Sequence, residues 1–149
     1  MKNLWSDKEA KNFVNYYSKS GINEDLSLRV YTSRLLGNEK KLVLHGGGNT
    51  SVKSISEGYD GKKIDILYIK GSGWDLGNIE PEGLPAVRLN ELIKLLELDH
   101  LSDEDMVNAQ RNNLLNSSAP TPSVETLLHA FIPYKFVDHT HSDAILSIS

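Results

Sequence analysis

Two β-type runs joined by an Asp-Gly turn constrain the fold of this chain more than any other feature. The runs cover residues 52–56 and 64–69, and Tyr59, Asp60 and Gly61 lie between them. Asp-Gly between two such runs is typical of a tight hairpin, because glycine adopts the positive φ that these turns need. The sequence therefore predicts a β-hairpin in the middle of the chain.

Glycine-rich loops lie on both sides of the hairpin, at residues 45–51 (HGGGNTS) and 70–75 (KGSGWD). Successive glycines let backbone N–H groups crowd around an anion, and side chains such as Asn49 and Ser72 add neutral donors. Lys70 adds a positive charge. The two loops therefore indicate a phosphate site, whereas the plainer alternative is that they are tight turns that need positive φ.

The same loops do not match three better-known motifs. Neither continues into the Gly-Lys-Ser/Thr of a Walker loop, and residues 46–48 do not continue into a dinucleotide-binding fingerprint. Residues 45–48 match the oxyanion loop of some esterases, but the chain contains no Gly-x-Ser-x-Gly elbow to carry a nucleophile. None of these three functions is therefore indicated.

A carboxylate and two histidines lie close together towards the end of the chain. Pro122 predicts the start of a helix that carries Glu125, and Pro133 ends it so that the chain can turn back into a strand. Residues two apart in a strand share a face, so His139 and His141 present two imidazoles to one side. Imidazole and carboxylate are ligands that zinc accepts. The alternative is a polar strand edge without a metal.

Cysteine is absent from the 149 residues, which excludes disulfides, thiolate metal sites and cysteine nucleophiles. Any metal must therefore be held by His, Asp or Glu. The formal net charge is -4 with both signs scattered along the chain, so no basic face for nucleic acid forms. The apolar runs are too short to span a bilayer, and the polar N-terminus lacks a signal-peptide core. We therefore expect a cytoplasmic protein that binds neither nucleic acid nor a membrane.

Side-chain caps predict helices around this centre. Ser6, Asn23 and Ser102 each precede acidic residues at the start of a segment with helical periodicity. Short strands are predicted over 41–44 and 85–89. The apolar face expected for the second helix consists of Leu28, Tyr31, Leu35 and Leu36.

The last residues have the form of an element that is cut short. Ser142 and Asp143 resemble a further helix cap, yet only about two helical turns follow before Ser149. We therefore expect residues 1–149 to be a domain that is incomplete at its C-terminal end, as a fragment or a naturally shortened copy of a longer protein.

Together these motifs resemble the class II aldolase/adducin family. The likeness is strongest to the aldolase-like part of the bifunctional rhamnulose-1-phosphate aldolase/alcohol dehydrogenase proteins, and it extends from about residue 35 to the end. The segments that carry it are HGGGNTSVK (45–53), KGSGWDL (70–76), LPAVRL (84–89), LSDEDMV (101–107), PSVETLLHA (122–130) and VDHTH (137–141).

The resemblance implies a three-layer α/β/α fold with a largely antiparallel central sheet, usually assembled as a cyclic homotetramer. It implies a zinc-dependent lyase that cleaves a ketose-1-phosphate, such as rhamnulose-1-phosphate, to dihydroxyacetone phosphate and an aldehyde. In such a reaction zinc stabilises the anion formed on cleavage, and a carboxylate near the metal moves the carbon proton.

The resemblance also implies roles for single residues. His139 and His141 resemble two zinc ligands, and Glu125 resembles the carboxylate that binds the resting metal and transfers protons. The residues that resemble the phosphate and substrate cradle are Gly48, Asn49, Gly71, Ser72 and Ser123.

This sequence departs from the family in three ways. Val124 stands where sugar-phosphate aldolases often have a second serine, and the family's third zinc histidine and its C-terminal tyrosine do not occur within the 149 residues. Of the other histidines, His129 is the nearest substitute ligand, although a hydrogen-bonded helix residue is the simpler interpretation.

Three alternative functions remain open from the sequence. The same site on the same fold serves ketose-phosphate 4-epimerases. An adducin-like homologue uses the fold for protein association without catalysis. A fragment can also fold or oligomerise without turnover.

Overall fold

A computed structural model describes residues 4–39 and 48–140 of the chain. Within these ranges the chain forms five α-helices and four β-strands, with single 3₁₀ turns between some of them. The elements are α1 (Asp7–Ser18), α2 (Glu24–Gly37), β1 (Asn49–Glu57), β2 (Lys63–Ile69), β3 (Ala86–Arg88), α3 (Leu89–Ile93), α4 (Asp103–Asn112), α5 (Thr126–Phe131) and β4 (Phe136–His139).

The four strands form one sheet in the order β3-β2-β1-β4, and all neighbouring strands are antiparallel. The predicted hairpin is confirmed as β1 and β2, with Ser54 opposite Ile66. Gly61 in its turn has a φ of 77°, which explains the glycine at this position. The short strand predicted over 85–89 is β3.

Side chains alternate between the two faces of the sheet and pack into two separate hydrophobic cores. On β2, Leu67 and Ile69 point to the face that packs against α3 and α5, whereas Tyr68 points to the face covered by α1 and α2. Helices thus cover both faces of an antiparallel sheet, and the predicted α/β architecture is confirmed. On the first face the buried cluster is Leu67, Ile69, Val87, Leu89, Leu92, Leu114 and Ala130. On the second it is Tyr17, Leu26, Val30, Leu76, Ile79 and Leu84.

The three predicted caps are confirmed, since Ser6, Asn23 and Ser102 each accept a hydrogen bond from the amide three residues later. The expected apolar face of α2 is only partly right. Leu28, Leu35 and Leu36 are half-buried, and α2 instead buries several polar side chains. The buried residues of α2 are Leu26, Ser27, Arg29, Val30, Tyr31 and Ser33.

These polar side chains are buried because the sheet presents polar partners to α2. Ser33 Oγ lies 2.8 Å from Thr50 Oγ1 of β1. Arg29 Nη2 lies 2.7 Å from Asp138 Oδ1 of β4, and its guanidinium lies over the Phe136 ring. Paired in this way, polar groups can occupy an interface where helical periodicity predicts leucines, although Arg29 Nε has no hydrogen-bond partner among the described residues.

The helix predicted to start at Pro122 begins later, and this prediction is wrong. Pro122 forms an isolated β-bridge with Gly71, and α5 starts at Thr126 with Glu125 at its N-cap. The Ser123 amide donates to the Lys70 carbonyl, so tertiary hydrogen bonding holds this segment extended against the glycine-rich loop. The helix ends at Phe131, as the proline at position 133 predicts.

Several sequence predictions fall outside the described residues. These are the strand over 41–44, His45 with the two glycines that follow it, the zinc ligand His141, and the helix after Ser142. Within residues 4–39 and 48–140, no helix has both the length and the apolar character to cross a membrane.

Candidate functional site

The candidate site forms where the first residue of β1 meets the last residue of β4. Asn49 is opposite His139 in the antiparallel register, and partners in such a pair project to the same face of the sheet. Glu125 at the N-cap of α5 approaches this face. Residues far apart in sequence thus converge, because the β1–β4 register and the helix start bring them to one edge of the sheet.

Glu125 and His139 are in direct contact. Glu125 Oε2 lies 2.7 Å from His139 Nδ1 and accepts a second hydrogen bond, of 3.2 Å, from Asn49 Nδ2. A carboxylate only accepts, so Nδ1 of a neutral His139 carries the ring proton and Nε2 carries the lone pair. The two side chains are about one-third exposed, at 31% and 36%. A solute can therefore reach this pair.

Ser123 fixes the approach of Glu125 to the sheet. Its hydroxyl oxygen accepts hydrogen bonds from Asn49 Nδ2 and, at 3.2 Å, from the Glu125 amide. Asn49 therefore donates both to Ser123 and to the Glu125 carboxylate, which makes it the link between β1 and the turn before α5. The predicted residues Asn49, Ser123, Glu125 and His139 are all brought together.

His129 lies beneath Glu125, one helical turn further along α5. Its side chain is 1% exposed; Nδ1 lies 2.7 Å from Ser51 Oγ, and Nε2 lies 3.8 Å from Glu125 Oε2. Burial lowers the pKa of His129 to about 4 despite the opposing effect of Glu125, so the imidazole is neutral at pH 7. The expectation of a hydrogen-bonded helix residue is confirmed.

Lys70 brings a positive charge to the same edge of the sheet. Its ammonium makes no hydrogen bond or ion pair of normal length with any residue in the described part of the chain. Burial lowers the pKa of Lys70, while the charges of Asp75 and Glu125 oppose that effect. A half-buried cation without a short-range partner, close to the carboxylate, is suited to an anionic ligand.

Two backbone amides of the second glycine-rich loop donate hydrogen bonds within the chain. The Gly71 amide donates to Gly83 O at 2.8 Å, and the Ser72 amide donates to Thr121 O at 2.9 Å. The Ser123 amide likewise donates a hydrogen bond to Lys70 O, at 3.1 Å. These three amides therefore have partners within the chain, and the assignment of Gly71, Ser72 and Ser123 to a phosphate cradle stays a prediction; the Ser123 hydroxyl lies beside Glu125 and Asn49.

Close packing explains the glycine at position 71 better than anion binding does. A Cβ atom added to Gly71 would lie 2.8 Å from Pro120 Cβ and 3.2 Å from Pro85 Cδ. Such distances are too short for carbon atoms without a shift of the backbone. Gly48, the remaining residue of the predicted cradle, directly precedes β1 with a φ of 81°.

The donor set suits a divalent metal in type, but it is incomplete within the described residues. Imidazole nitrogen and carboxylate are both ligand types that zinc accepts, and an imidazole that donates one N–H to a carboxylate is typical of metal sites. Residues 4–39 and 48–140 contain no group of three or more His, Asp or Glu side chains arranged to hold a metal. The predicted ligand His141 is outside these ranges.

Sequence reasoning missed two cations that hold the site's elements in place. Arg29 of α2 binds Asp138, the neighbour of His139, from the opposite face of the sheet. Lys53 donates to His129 O at 3.0 Å and to Tyr134 O at 2.6 Å, and so ties α5 and the start of the following turn to β1. Lys53 is the last residue of the HGGGNTSVK motif, and this position was the sequence signal that could have identified it. Arg29 gave no such signal, because its segment has the pattern of a helix on the surface.

Known proteins resemble this chain over nearly its whole length. Residues 28–149 match the family described as Class II Aldolase and Adducin N-terminal domain. A Bacillus subtilis (strain 168) protein named Uncharacterized oxidoreductase YuxG is 38% identical over 148 residues, which cover 99% of this chain but 20% of that protein. The solved N-terminal class II aldolase domain of a conserved protein from Thermoplasma acidophilum is 42% identical. It superposes with a TM-score of 0.85 over 99% of this chain and 63% of that one.

Proposed function

This chain belongs to the family of class II aldolase and adducin N-terminal domains, and from that membership and the site geometry we propose that it carries the active site of a zinc-dependent aldolase. The substrate is a ketose-1-phosphate of the rhamnulose-1-phosphate type, and the products are dihydroxyacetone phosphate and an aldehyde. The chain spans 20% of the Bacillus subtilis relative, so the name oxidoreductase describes a much longer protein.

The contact between Glu125 and His139 is the observation that carries the proposal. An acid–base group must reach the reacting carbon, and a metal ligand must face the same space. Glu125 Oε2 lies 2.7 Å from His139 Nδ1 at one partly exposed edge of the sheet, and this closeness supports assigning the two roles to them. His139, His141 and Glu125 would hold the zinc ion, with Asn49 and Ser123 orienting the carboxylate.

Bound zinc would supply a Lewis acid that stabilises the negative charge developing on cleavage. The bond between the third and fourth carbons breaks, its electron pair stays on the third carbon, and the fourth-carbon hydroxyl loses its proton as the aldehyde forms. Glu125 returns a proton to the third carbon, which gives dihydroxyacetone phosphate. Water takes the hydroxyl proton and supplies the proton that Glu125 delivers, so the two transfers balance; in the reverse direction Glu125 removes the same carbon proton.

The phosphate group would be bound mainly by side chains. The backbone amides of Gly71, Ser72 and Ser123 each donate a hydrogen bond within the chain. We therefore expect the Ser72 and Ser123 hydroxyls and the Lys70 ammonium to bind the phosphate. Asn49 and Gly48 border the same space. A small phosphorylated sugar is thus the proposed ligand of a cytoplasmic protein that assembles as a homo-oligomer, a tetramer in the family.

The proposal is tested by zinc analysis and by product detection on the purified protein, both as these 149 residues and with any residues encoded beyond Ser149. Rhamnulose-1-phosphate and fuculose-1-phosphate are supplied, and dihydroxyacetone phosphate is measured by its enzymatic reduction with NADH. The matched control is the same ketose without phosphate. Zinc-dependent release of dihydroxyacetone phosphate from the phosphorylated sugar is the expected result.

Other outcomes point to other members of the family. Inversion at the fourth carbon of a ketose phosphate, without release of dihydroxyacetone phosphate, would make the protein a 4-epimerase. A protein that binds no zinc in either form, and associates with itself or another protein, would be an adducin-like module and would end the proposal.

A further inference from the structure

His129 has a buried ring nitrogen that no hydrogen bond accounts for. Nε2 finds no hydrogen-bond partner within residues 4–39 and 48–140, although the side chain is 1% exposed. The carboxylate oxygen Glu125 Oε2, a hydrogen-bond acceptor, lies 3.8 Å from this nitrogen. A buried polar atom without a partner destabilises a fold, so its position beside the carboxylate requires an explanation.

The contact at the other ring nitrogen limits the choice of tautomer. Ser51 Oγ lies 2.7 Å from His129 Nδ1, and Ser51 is fully buried with this contact alone at its hydroxyl among the described residues. If Nδ1 carried the proton, the Ser51 hydroxyl proton would lack an acceptor there and a bare Nε2 would face a carboxylate. If the Ser51 hydroxyl donates to Nδ1, both conflicts disappear and Nε2 carries the proton.

We propose that His129 is held as the neutral Nε2–H tautomer by Ser51 and that it is a positioning residue, which directs this N–H at Glu125 and offers the carboxylate a hydrogen-bond donor in addition to His139 and Asn49. Glu125 Oε2 lies between two imidazoles, 2.7 Å from Nδ1 of His139 and 3.8 Å from Nε2 of His129. A movement of roughly 1 Å brings it within normal hydrogen-bond distance of His129.

Such an additional donor matters because Glu125 has two tasks in the proposed function, on which this inference rests. If His139 held a metal, the carboxylate would be needed as an acid–base group rather than only as a partner of His139, and it would still have to be oriented to exchange a carbon proton. A fixed N–H beneath it meets that need. The covalent chemistry is unchanged, since His129 neither gives up nor gains its proton.

The tautomer can be measured on the metal-free protein by long-range ¹H–¹⁵N NMR of the histidine rings. The chain has five histidines, and the His129 signals are identified by their loss in His129→Gln. We expect a protonated Nε2 and a bare Nδ1, and we expect Glu125→Gln to shift the Nε2–H resonance because the acceptor loses its charge. Glu104→Gln, on the exposed start of α4, is the control and should shift nothing.

Two substitutions of His129 separate positioning from packing. The Gln amide reaches about where Nε2 lies and the Asn amide about where Nδ1 lies, so only Gln keeps a donor that faces Glu125. We expect His129→Gln to retain turnover roughly tenfold above His129→Asn, while the two variants have similar melting temperatures. Equal losses in the two would make His129 a packing residue and overturn the proposal.

The NMR result decides the inference even where the variants fail to fold. A proton on Nδ1, an Nε2–H resonance that ignores Glu125→Gln, or loss of the Nε2 proton on addition of zinc would each overturn it; the last would make His129 a metal ligand. Absence of aldol turnover in the unsubstituted protein, with the Nε2–H tautomer present, would instead end the proposed function and leave the tautomer assignment standing.

Discussion

Glu125 is the side chain that connects the groups of the candidate site. It contacts His139 of β4 and Asn49 of β1, and it lies close to His129 of α5. The sequence predicts the Glu125–His139 pair, because proline and strand alternation are local signals. It does not predict which groups accept hydrogen bonds from the amides of the second glycine-rich loop. The carbonyls that accept from Gly71 and Ser72 belong to residues 83 and 121, which are distant along the chain.

Replacing Glu125 by Gln should abolish proton transfer and leave the fold intact. The amide keeps the size of the side chain and loses its basicity, so we expect turnover to fall by roughly 10²- to 10⁴-fold. The measurement is the steady-state rate of dihydroxyacetone phosphate release. Glu104→Gln should match the unsubstituted protein; turnover that survives Glu125→Gln would remove this residue from the mechanism.

Replacing Lys70 by Met should weaken binding of the phosphorylated substrate. The change removes a half-buried cation and keeps an unbranched side chain of similar length, so we expect KM for the ketose phosphate to rise about tenfold, in line with a charged hydrogen bond. The ketose without phosphate should show a smaller change. Lys11→Met, on the exposed side of α1, provides the control, and an identical effect on both sugars would contradict a phosphate role.

At the scale of elements, local signals identify starts and turns better than they identify buried faces. The three caps and the Asp-Gly hairpin depend on neighbouring residues, and all form as predicted. The start of α5 differs because Pro122 pairs with Gly71, a contact made across the fold. The buried side of α2 differs because Arg29 pairs with Asp138, and an arginine in a helix ordinarily indicates solvent.

The bridge between Gly71 and Pro122 leaves no room for a side chain at position 71. Gly71→Ala would place Cβ against the rings of Pro120 and Pro85, which cannot rotate away, so we expect a loss of about 1–3 kcal/mol in the free energy of unfolding. Urea denaturation measures the change. In the control, Gly58→Ala, the new atom meets the flexible end of Ile64, and the loss should be smaller; the reverse order would contradict this account.

At the scale of the whole molecule, the sheet separates two sides. The supporting side is covered by α1 and α2, and the reactive side, which carries the candidate site, is covered by α3 and α5. The α1–α2 side is fastened to the segment after β2 through Tyr17, whose hydroxyl donates to Glu80 Oε2 at 2.8 Å and accepts from Arg34. Arg34 also pairs with Glu80 at 2.7 Å. The family resemblance predicts this layering, whereas the contacts between layers depend on side chains that no local pattern brings together.

The Tyr17 contact predicts a loss of stability at alkaline pH. Burial and the hydrogen bond to Glu80 raise the pKa of Tyr17 to about 12. Since this pKa is higher in the folded state, the stabilisation is complete below about pH 10, the unfolded value, and is lost as the pH rises from 10 to 12. Denaturant titrations across this range should show a smaller loss in Tyr17→Phe than in the unsubstituted protein.

The control for this comparison is Tyr59→Phe, because Tyr59 lies fully exposed in the hairpin turn, away from Tyr17. It should follow the unsubstituted protein at every pH. If Tyr17→Phe shows the same alkaline loss as Tyr59→Phe, other groups are responsible for it.

The alternation along β1 has a consequence for how such a protein can change during evolution. Asn49, Ser51 and Lys53 serve the reactive side, while Thr50 serves α2 on the other. One inserted or deleted residue ahead of this strand would exchange the two sets, because the side-chain period of a strand is two. Length variants should therefore survive selection at the tip of the hairpin, around residues 58–62, and be purged from residues 49–53.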